Sequence, residues 1–386
     1  MFRLIPAALL ALYLAACTPG TSPSHVEQPP PSAPQPDARA IIAEVGRIQT
    51  PNGIEESFAA DIGGVKQWLS IRGKNRDNPV LILVHGGPGS AEMAAGWAFQ
   101  RGWEDYFTVV QWDQRGAGKT WASNDPEAVL PTMTKERMVE DVIEVIDFVR
   151  QHLGKDKVIL MGHSWGSVIS LDAAMRRPDA IAAYVGIGQV INMQRNEAEG
   201  WRFALEAAQA DGNMQAVAEL EALAPYPGGP LTVERIGAER TWSIHYGALA
   251  AYREDADPWF RAMRLSPEYD DDILAKYDAG SLASLNALLP DLAAVDFDGL
   301  KTSPVPVFML LGRHDYTTPS QIAADWLDQL EAPAKGAYWF EHSAHLPLME
   351  EPGVTLMTLV TCIRPYATEA DLAAAREKAR ACVSAP

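Results

Sequence analysis

The stretch Val158-Ile159-Leu160-Met161-Gly162-His163-Ser164-Trp165-Gly166 decides the fold. Its first four residues form a continuous apolar run, as expected for a strand buried on both faces. Residues 164–177 read as a helix, ended by Pro178. Between strand and helix lies a G-x-S-x-G turn, which presents a serine hydroxyl above the sheet. Gly and Ser are common, so the pattern alone is moderate evidence. Its placement, directly after a buried strand and opening a helix, gives it force. Ser164 is the expected nucleophile. Its backbone is expected to be strained, with small flanking residues that let neighbouring backbone approach.

Outward from this turn the chain alternates. Residues 65–71, 80–84 (VLILV), 107–112 and 181–187 read as strands. Residues 134–153 read as an amphipathic helix with Met138, Val142, Val145, Ile146, Val149 and Leu153 on its apolar face and Gly154 as its stop. From 191 to 292 the pattern is helical, without a strong strand candidate. Strand-like sequence returns at 305–311 and 337–340, with helices near 321–330 and from 354. The fold class is α/β: a mostly parallel, doubly wound sheet with an inserted helical cap. The expected divisions are a first core part at 41–190, a cap at 191–292, and a second core part with a C-terminal helix at 293–386.

An acyl-transfer site needs oxyanion donors, a base and an orienting acid. One donor is expected from the Trp165 amide, directly after the serine. The other is expected from Gly87, in His85-Gly86-Gly87-Pro88-Gly89 after the 80–84 strand. That loop lacks the lysine and spacing of a phosphate-binding loop. Acid and histidine must follow the serine in that order. Asp315 follows the 305–311 strand and His345 follows the last one, both at strand ends where such a sheet gathers its site. His342 is the alternative base. His163 and His314 read as structural, and Asp113 precedes the serine, which is the wrong order.

HGGPG at 85–89, Trp112-Asp113-Gln114-Arg115-Gly116 and GHSWG at 162–166 together resemble the prolyl iminopeptidase family of serine aminopeptidases, of the α/β-hydrolase superfamily. The likeness runs as an ordered set of motifs from about 54 to 365. It implies removal of an N-terminal residue, often proline, from short peptides, without metal or organic cofactor. It implies the same oxyanion pair, Gly87 and Trp165. Members hold the substrate amine with cap glutamates, one within Trp-Ser-x-x-Glu-Gly. Here the matching stretch is Trp242-Ser243-Ile244-His245-Tyr246-Gly247, so Tyr246 stands at the glutamate position. A neutral phenol cannot pair with an ammonium group as a carboxylate does. Glu197, Glu199 and Glu239 are candidates to compensate, although the default reading of each is a surface helix charge. Trp201, Trp242 and Trp259 line either the pocket or the cap core. Two other readings stay open: a carboxylesterase or related acyl hydrolase acting on an uncharged small substrate, and a non-catalytic binding protein on this scaffold.

Lys and Arg total 32 against 50 Asp and Glu, a formal net charge of -18. That surface argues against nucleic acid or anionic lipid as a main partner. The expected partner is a small molecule or short peptide. No clustered metal-ligand motif is present, so no metal is expected. At the N-terminus, Met1-Phe2-Arg3 precedes an apolar run too short to span a bilayer, which fits a secretory signal. It ends in Leu14-Ala15-Ala16-Cys17, which resembles a bacterial lipobox. By that resemblance Cys17 becomes the lipidated first residue of an exported, membrane-anchored protein, facing the periplasm, and this anchor is the sole expected membrane contact. The alternative is an ordinary signal peptide with a chance cysteine. Residues 18–40, rich in proline, read as a tether. In an oxidising compartment Cys362 and Cys382 are a candidate disulfide, the alternative being two buried thiols.

Overall fold

The computed structural model describes residues 37–379. Cys17, Cys382 and residues 18–36 of the expected tether lie outside these residues. A helix, Ala38–Gly46, already occupies the last residues assigned to the tether. Among the described residues no helix is long and apolar enough to cross a membrane.

Eight strands form one sheet: β1 (Ile54–Ile62), β2 (Val65–Gly73), β3 (Val80–Val84), β4 (Thr108–Asp113), β5 (Val158–His163), β6 (Ile181–Ile187), β7 (Val307–Gly312) and β8 (Lys335–Phe340). Their order is β1-β2-β4-β3-β5-β6-β7-β8. β1, β2 and β4 pair antiparallel, and every other pairing is parallel. β3 to β7 are buried at every position. Val158 and Leu160 of β5 join one apolar cluster, while Ile159 and Met161 join the other. Val80, Ile82 and Val84 of β3 separate from Leu81 and Leu83 in the same way. Successive strand side chains point to opposite faces, so a sheet covered on both sides needs apolar residues at both parities. Each such side chain contributes roughly 1.5–3 kcal/mol on burial, which makes this sheet the rigid base of the site.

The helix Lys135–Leu153 covers one face. Thr134 caps it by accepting from the Arg137 amide, and Gly154 closes it at φ 64°. Between β6 and β7 lie the helices Met193–Asp211, Met214–Glu221, Val233–His245, Asp257–Ala262 and Asp271–Ala293. The first three enclose a small core of their own, made of Ala204, Ala208, Ala216, Val217 and Leu220. The last, long helix is different, because small residues bring it against the loops of the sheet. A Cβ on Gly280 would meet Trp121 at 2.8 Å, and Ser284 Oγ donates to the Gly116 carbonyl at 2.9 Å.

Candidate active site

Ser164 sits at φ 53°, ψ -122°, at the start of the helix Trp165–Arg176. Few residues adopt this conformation, so the surroundings must enforce it. The Ser164 amide donates to the Ile187 carbonyl at 2.9 Å, tying the turn to β6. A Cβ on Gly162 would lie 2.5 Å from the Gly166 carbonyl oxygen, and one on Gly166 would collide with the Val84 carbonyl. Both glycines of the motif are therefore required by close backbone approach.

The loops after β7 and β8 bring Asp315 and His345, the expected acid and base, together. His345 Nδ1 lies 2.9 Å from Asp315 Oδ2. The carboxylate is itself held: the Thr318 amide donates to Oδ1 at 2.9 Å and the Thr318 hydroxyl to Oδ2 at 3.0 Å. Nδ1 therefore carries the proton and Nε2 is left with its lone pair, the tautomer a general base requires. Asp315 and His345 are both buried. His342 is exposed, and it is its backbone amide that donates to Glu351. His314 meets the Tyr252 hydroxyl at 2.9 Å.

Gly188 makes room for the His345 ring. At φ +51° its missing Cβ would lie 2.6 Å from His345 Cε1 and 2.8 Å from Nδ1. Gly188→Ala is expected to lower kcat about 100-fold, the cost of misplacing a reacting group by about 1 Å, while circular dichroism still reports a folded protein. Neither Gly188 nor Thr318 stood out in the sequence. Thr318 had a weak signal, since an Asp often captures a backbone amide a few residues on.

The motifs at 85–89 and 112–116 form one unit. The Gln114 amide donates to His85 Nε2 at 3.2 Å, the Gln114 side chain donates to the His85 carbonyl at 2.7 Å, and His85 Nδ1 donates to Gly86 at 2.9 Å. Burial pushes the His85 pKa down to about 4, so the ring is neutral. Arg115 forks onto Asp141 at 2.7 and 2.9 Å, both side chains fully buried, and pins the second motif to the helix beneath it. Gly87 sits at φ +110°, and a Cβ on Gly89 would lie 2.8 Å from Ser281 of the long helix. Among the described residues neither the Gly87 nor the Trp165 amide donates a hydrogen bond within the protein.

Asp113 ends β4 and is fully buried. Its Oδ2 accepts from Tyr269 at 2.5 Å and from the Lys119 amide at 2.7 Å, while Oδ1 has no partner among the described residues. Burial outweighs these donors and pushes its carboxyl up to about 7. The folded state then binds this proton more tightly than the unfolded chain. Stability from this group is complete below about pH 4 and is lost as pH rises towards 7. Asp113→Asn is expected to flatten that decline in a plot of Tm against pH from 4 to 8.

Ser164, His345, Gly86 and Gly87 line one cavity of about 210 Å³, closed by Leu249, Trp259, Phe260, Met263, Leu346 and Met349. A larger cavity, about 480 Å³, lies beside the helix Ala38–Gly46 and includes none of these catalytic candidates. Of Trp201, Trp242 and Trp259, Trp259 lines the cavity at Ser164. Trp201 donates to the Leu220 carbonyl at 2.9 Å and Trp242 to Glu219 at 2.8 Å, within the small cap core. Tyr246 also packs there, its hydroxyl buried without a partner among the described residues. Glu199 pairs with Arg202. Glu197 and Glu239 are not surface charges: both are fully buried, and Arg240 bonds to each of them. The Tyr226 hydroxyl also donates to Glu197. Burial disfavours the Arg240 charge, but the two carboxylates more than offset it and hold the guanidinium protonated. Arg240 lies 3.4 Å from the carbonyl of Thr317, a cavity residue, so this cluster stands behind the cavity wall. Cys362 is buried, and its candidate partner Cys382 lies outside the described residues. Among the described residues no group of His, Cys, Asp or Glu is arranged to hold a metal ion.

The sheet order, the turn at Ser164 and the two loops facing it are those of one class of enzyme. Residues 79–352 match the family described as alpha/beta hydrolase fold; the chain belongs to that family and is a hydrolase. Within it, the chain is 32% identical over 306 residues to a probable aminopeptidase, YbaC, of Bacillus subtilis (strain 168), covering 77% of this chain and 93% of the relative. A proline iminopeptidase of Lactobacillus delbrueckii subsp. bulgaricus is 24% identical over 300 residues, 75% of this chain and 91% of its own length. The solved proline iminopeptidase of Mycobacterium smegmatis shares the fold, with TM-score 0.57 at 18% identity over 82% of this chain and 100% of that one. The resemblance carried by HGGPG, WDQRG and GHSWG is thus borne out by whole-length relatives.

Proposed function

We propose that the protein is a serine aminopeptidase that releases N-terminal residues from short peptides through an acyl-enzyme on Ser164. One observation carries this reading: the His345–Asp315 pair, Ser164 and the Gly87 loop meet at a single small cavity. His345 Nε2 takes the Ser164 proton as Oγ attacks the scissile carbonyl, and later gives it to the leaving amine. The Gly87 and Trp165 amides receive the oxyanion. Water then attacks the ester, with His345 again as base. The apolar lining suits an uncharged side chain such as that of proline, and about 210 Å³ suits one residue rather than a long segment. Glu197 and Glu239 set two carboxylates against one guanidinium behind Thr317. The negative potential they leave favours a substrate ammonium at that wall. Tyr246, in the cap core, supports this arrangement by packing and does not touch substrate. The chain is exported and anchored through a lipid on Cys17, a reading supported by Leu14-Ala15-Ala16-Cys17 after the apolar run.

The apolar lining also favours a second reading, an esterase acting on a neutral acyl group. Paired kinetics separate the two. Release of a chromogenic amine from prolyl and other aminoacyl amides is expected, with a loss of about 100-fold or more when the amine is acetylated and its charge removed. Brisk cleavage of short acyl esters with no amide release establishes the esterase instead.

A further inference from the structure

His163 precedes the serine and takes no part in the proton transfers above. Its surroundings nevertheless assign it a charge. Nδ1 meets a Glu92 carboxylate oxygen in a short hydrogen bond, and Nε2 lies 2.9 Å from the backbone carbonyl oxygen of His345. A carbonyl oxygen can only accept, so Nε2 carries a proton. Glu92 against Nδ1 raises the ring's affinity for a second proton there. Both side chains are buried, 7% and 10% exposed, which leaves water little part in satisfying either nitrogen. The His163 ring also lies against the catalytic ring, with centroids 4.8 Å apart and planes tilted by 39°.

We propose that Glu92 and His163 form a buried ion pair whose imidazolium end holds the backbone of His345 and lowers the pH at which His345 becomes free to act as a base. The proposal rests on the reading of His345 as the general base for Ser164. His163 is a positioning residue, because it acts through His345.

Two physical effects follow from the geometry. The Nε2–H of His163 ties the His345 carbonyl to the nucleophile turn, while the His345 amide donates to the Leu249 carbonyl at 3.2 Å on another element. The base is thereby fixed to both the turn that carries Ser164 and a cap segment between the helices Val233–His245 and Asp257–Ala262. The second effect is electrostatic. Asp315 beside His345 favours a proton on both ring nitrogens, and a cation across its face disfavours it. The balance sets where activity fails in acid. The charged and titratable groups facing His163 are Glu92 from the turn after β3, Asp315 and His345 from the C-terminal loops, and His85 from the loop at 85–89. Of these, His85 is held neutral by burial. Burial opposes the charge on His163 as well, yet Glu92 and the His345 carbonyl outweigh it and raise its affinity for the proton.

Glu92→Gln separates charge from geometry. The amide can still bond to Nδ1, but it no longer holds an imidazolium. The acid limb of kcat/KM is expected to move up by about 0.5–1 pH unit. His163→Gln, which can still donate to the His345 carbonyl, is expected to move it in the same direction. In the unsubstituted full chain, imidazole nitrogen NMR is expected to show both His163 ring nitrogens protonated at pH 7. An unmoved acid limb in Glu92→Gln, or a single ring proton on His163 at pH 7, overturns the proposal. The NMR measurement decides the matter even if a variant does not fold. Ser164→Ala distinguishes the two levels. If it retains turnover, the base reading fails and the ion-pair role falls with it. If turnover requires Ser164 and the limb stays in place, the ion-pair role alone is wrong.

Discussion

Ser164→Ala is expected to lower kcat about 10⁵–10⁶-fold, the loss found when an activated nucleophile is removed from a hydrolase of this mechanism. A fluorophosphonate probe is expected to label the wild-type chain and leave the variant unlabelled. The size of the effect follows from the site. In the proposed mechanism Trp165 and Gly87 still bind a developing oxyanion and His345 still orients a water, so residual turnover above the uncatalysed rate is expected. What disappears is the covalent step. The substitution suits the test because it disturbs little else. Among the described residues the Ser164 hydroxyl makes no hydrogen bond within the protein, so no buried partner is left unsatisfied. Alanine keeps the Cβ that the φ 53° turn already accommodates, and Tm is expected to stay within a few degrees. Full labelling of the variant, or unchanged turnover, rules out Ser164 as the nucleophile.

The parts of this site that could be read in the sequence share a physical property. They depend on contacts within a few residues or on the sheet itself. The 80–84 and 181–187 strands match β3 and β6 at both ends, because burial on two faces leaves an unbroken apolar run. The turn at Ser164 announces itself because Gly162 and Gly166 meet backbone atoms at distances no side chain tolerates. Asp315 and His345 are legible because each follows its strand directly. β1 was not legible: in Ile54–Ile62 the run Glu55-Glu56-Ser57 breaks the apolar pattern, as an edge strand facing solvent allows.

The cap was the harder part, for a different reason. A helix pattern shows that a face is apolar but not what that face meets. Glu197 and Glu239 sit 42 positions apart on two helices, and a single residue, Arg240, turns them from expected surface charges into a buried cluster. Tyr246 was singled out by its motif position, yet it lies in the small core with Trp201 and Trp242. The Glu92–His163 contact joins residues 71 apart in sequence, and the space Gly188 leaves for His345 joins residues farther apart still. None of these pairings has a local signature: the cap cluster exists only once two helices pack, and the other two only once the sheet has brought the strand ends together.

The second large effect is expected from Asp315→Asn, about 10⁴-fold in kcat, with the fold retained. The loss is one of tautomer rather than of contact. In the wild-type chain the carboxylate can only accept, so His345 Nδ1 must donate across the 2.9 Å separation and Nε2 is left to accept the serine proton. Thr318 makes this strict. Its hydroxyl lies 3.0 Å from Asp315 Oδ2 and 3.2 Å from His345 Nδ1, and its amide occupies Oδ1, so the carboxylate is locked in place while it accepts. In the variant, the amide oxygen takes the Thr318 amide proton most readily, which turns the new NH₂ group towards Nδ1. Nδ1 then accepts, the proton moves to Nε2, and the base points a hydrogen at Ser164. Raising the pH does not correct this, because the ring is neutral and simply in the wrong tautomer. The activity loss should therefore persist across the neutral range, unlike the shifted limb expected of Glu92→Gln. Fluorophosphonate labelling should slow in parallel with turnover, because both need the same proton removed from Ser164. If Asp315→Asn keeps more than about a tenth of wild-type kcat at neutral pH, well outside the expected loss, another group holds the His345 tautomer and the role given to Asp315 is wrong.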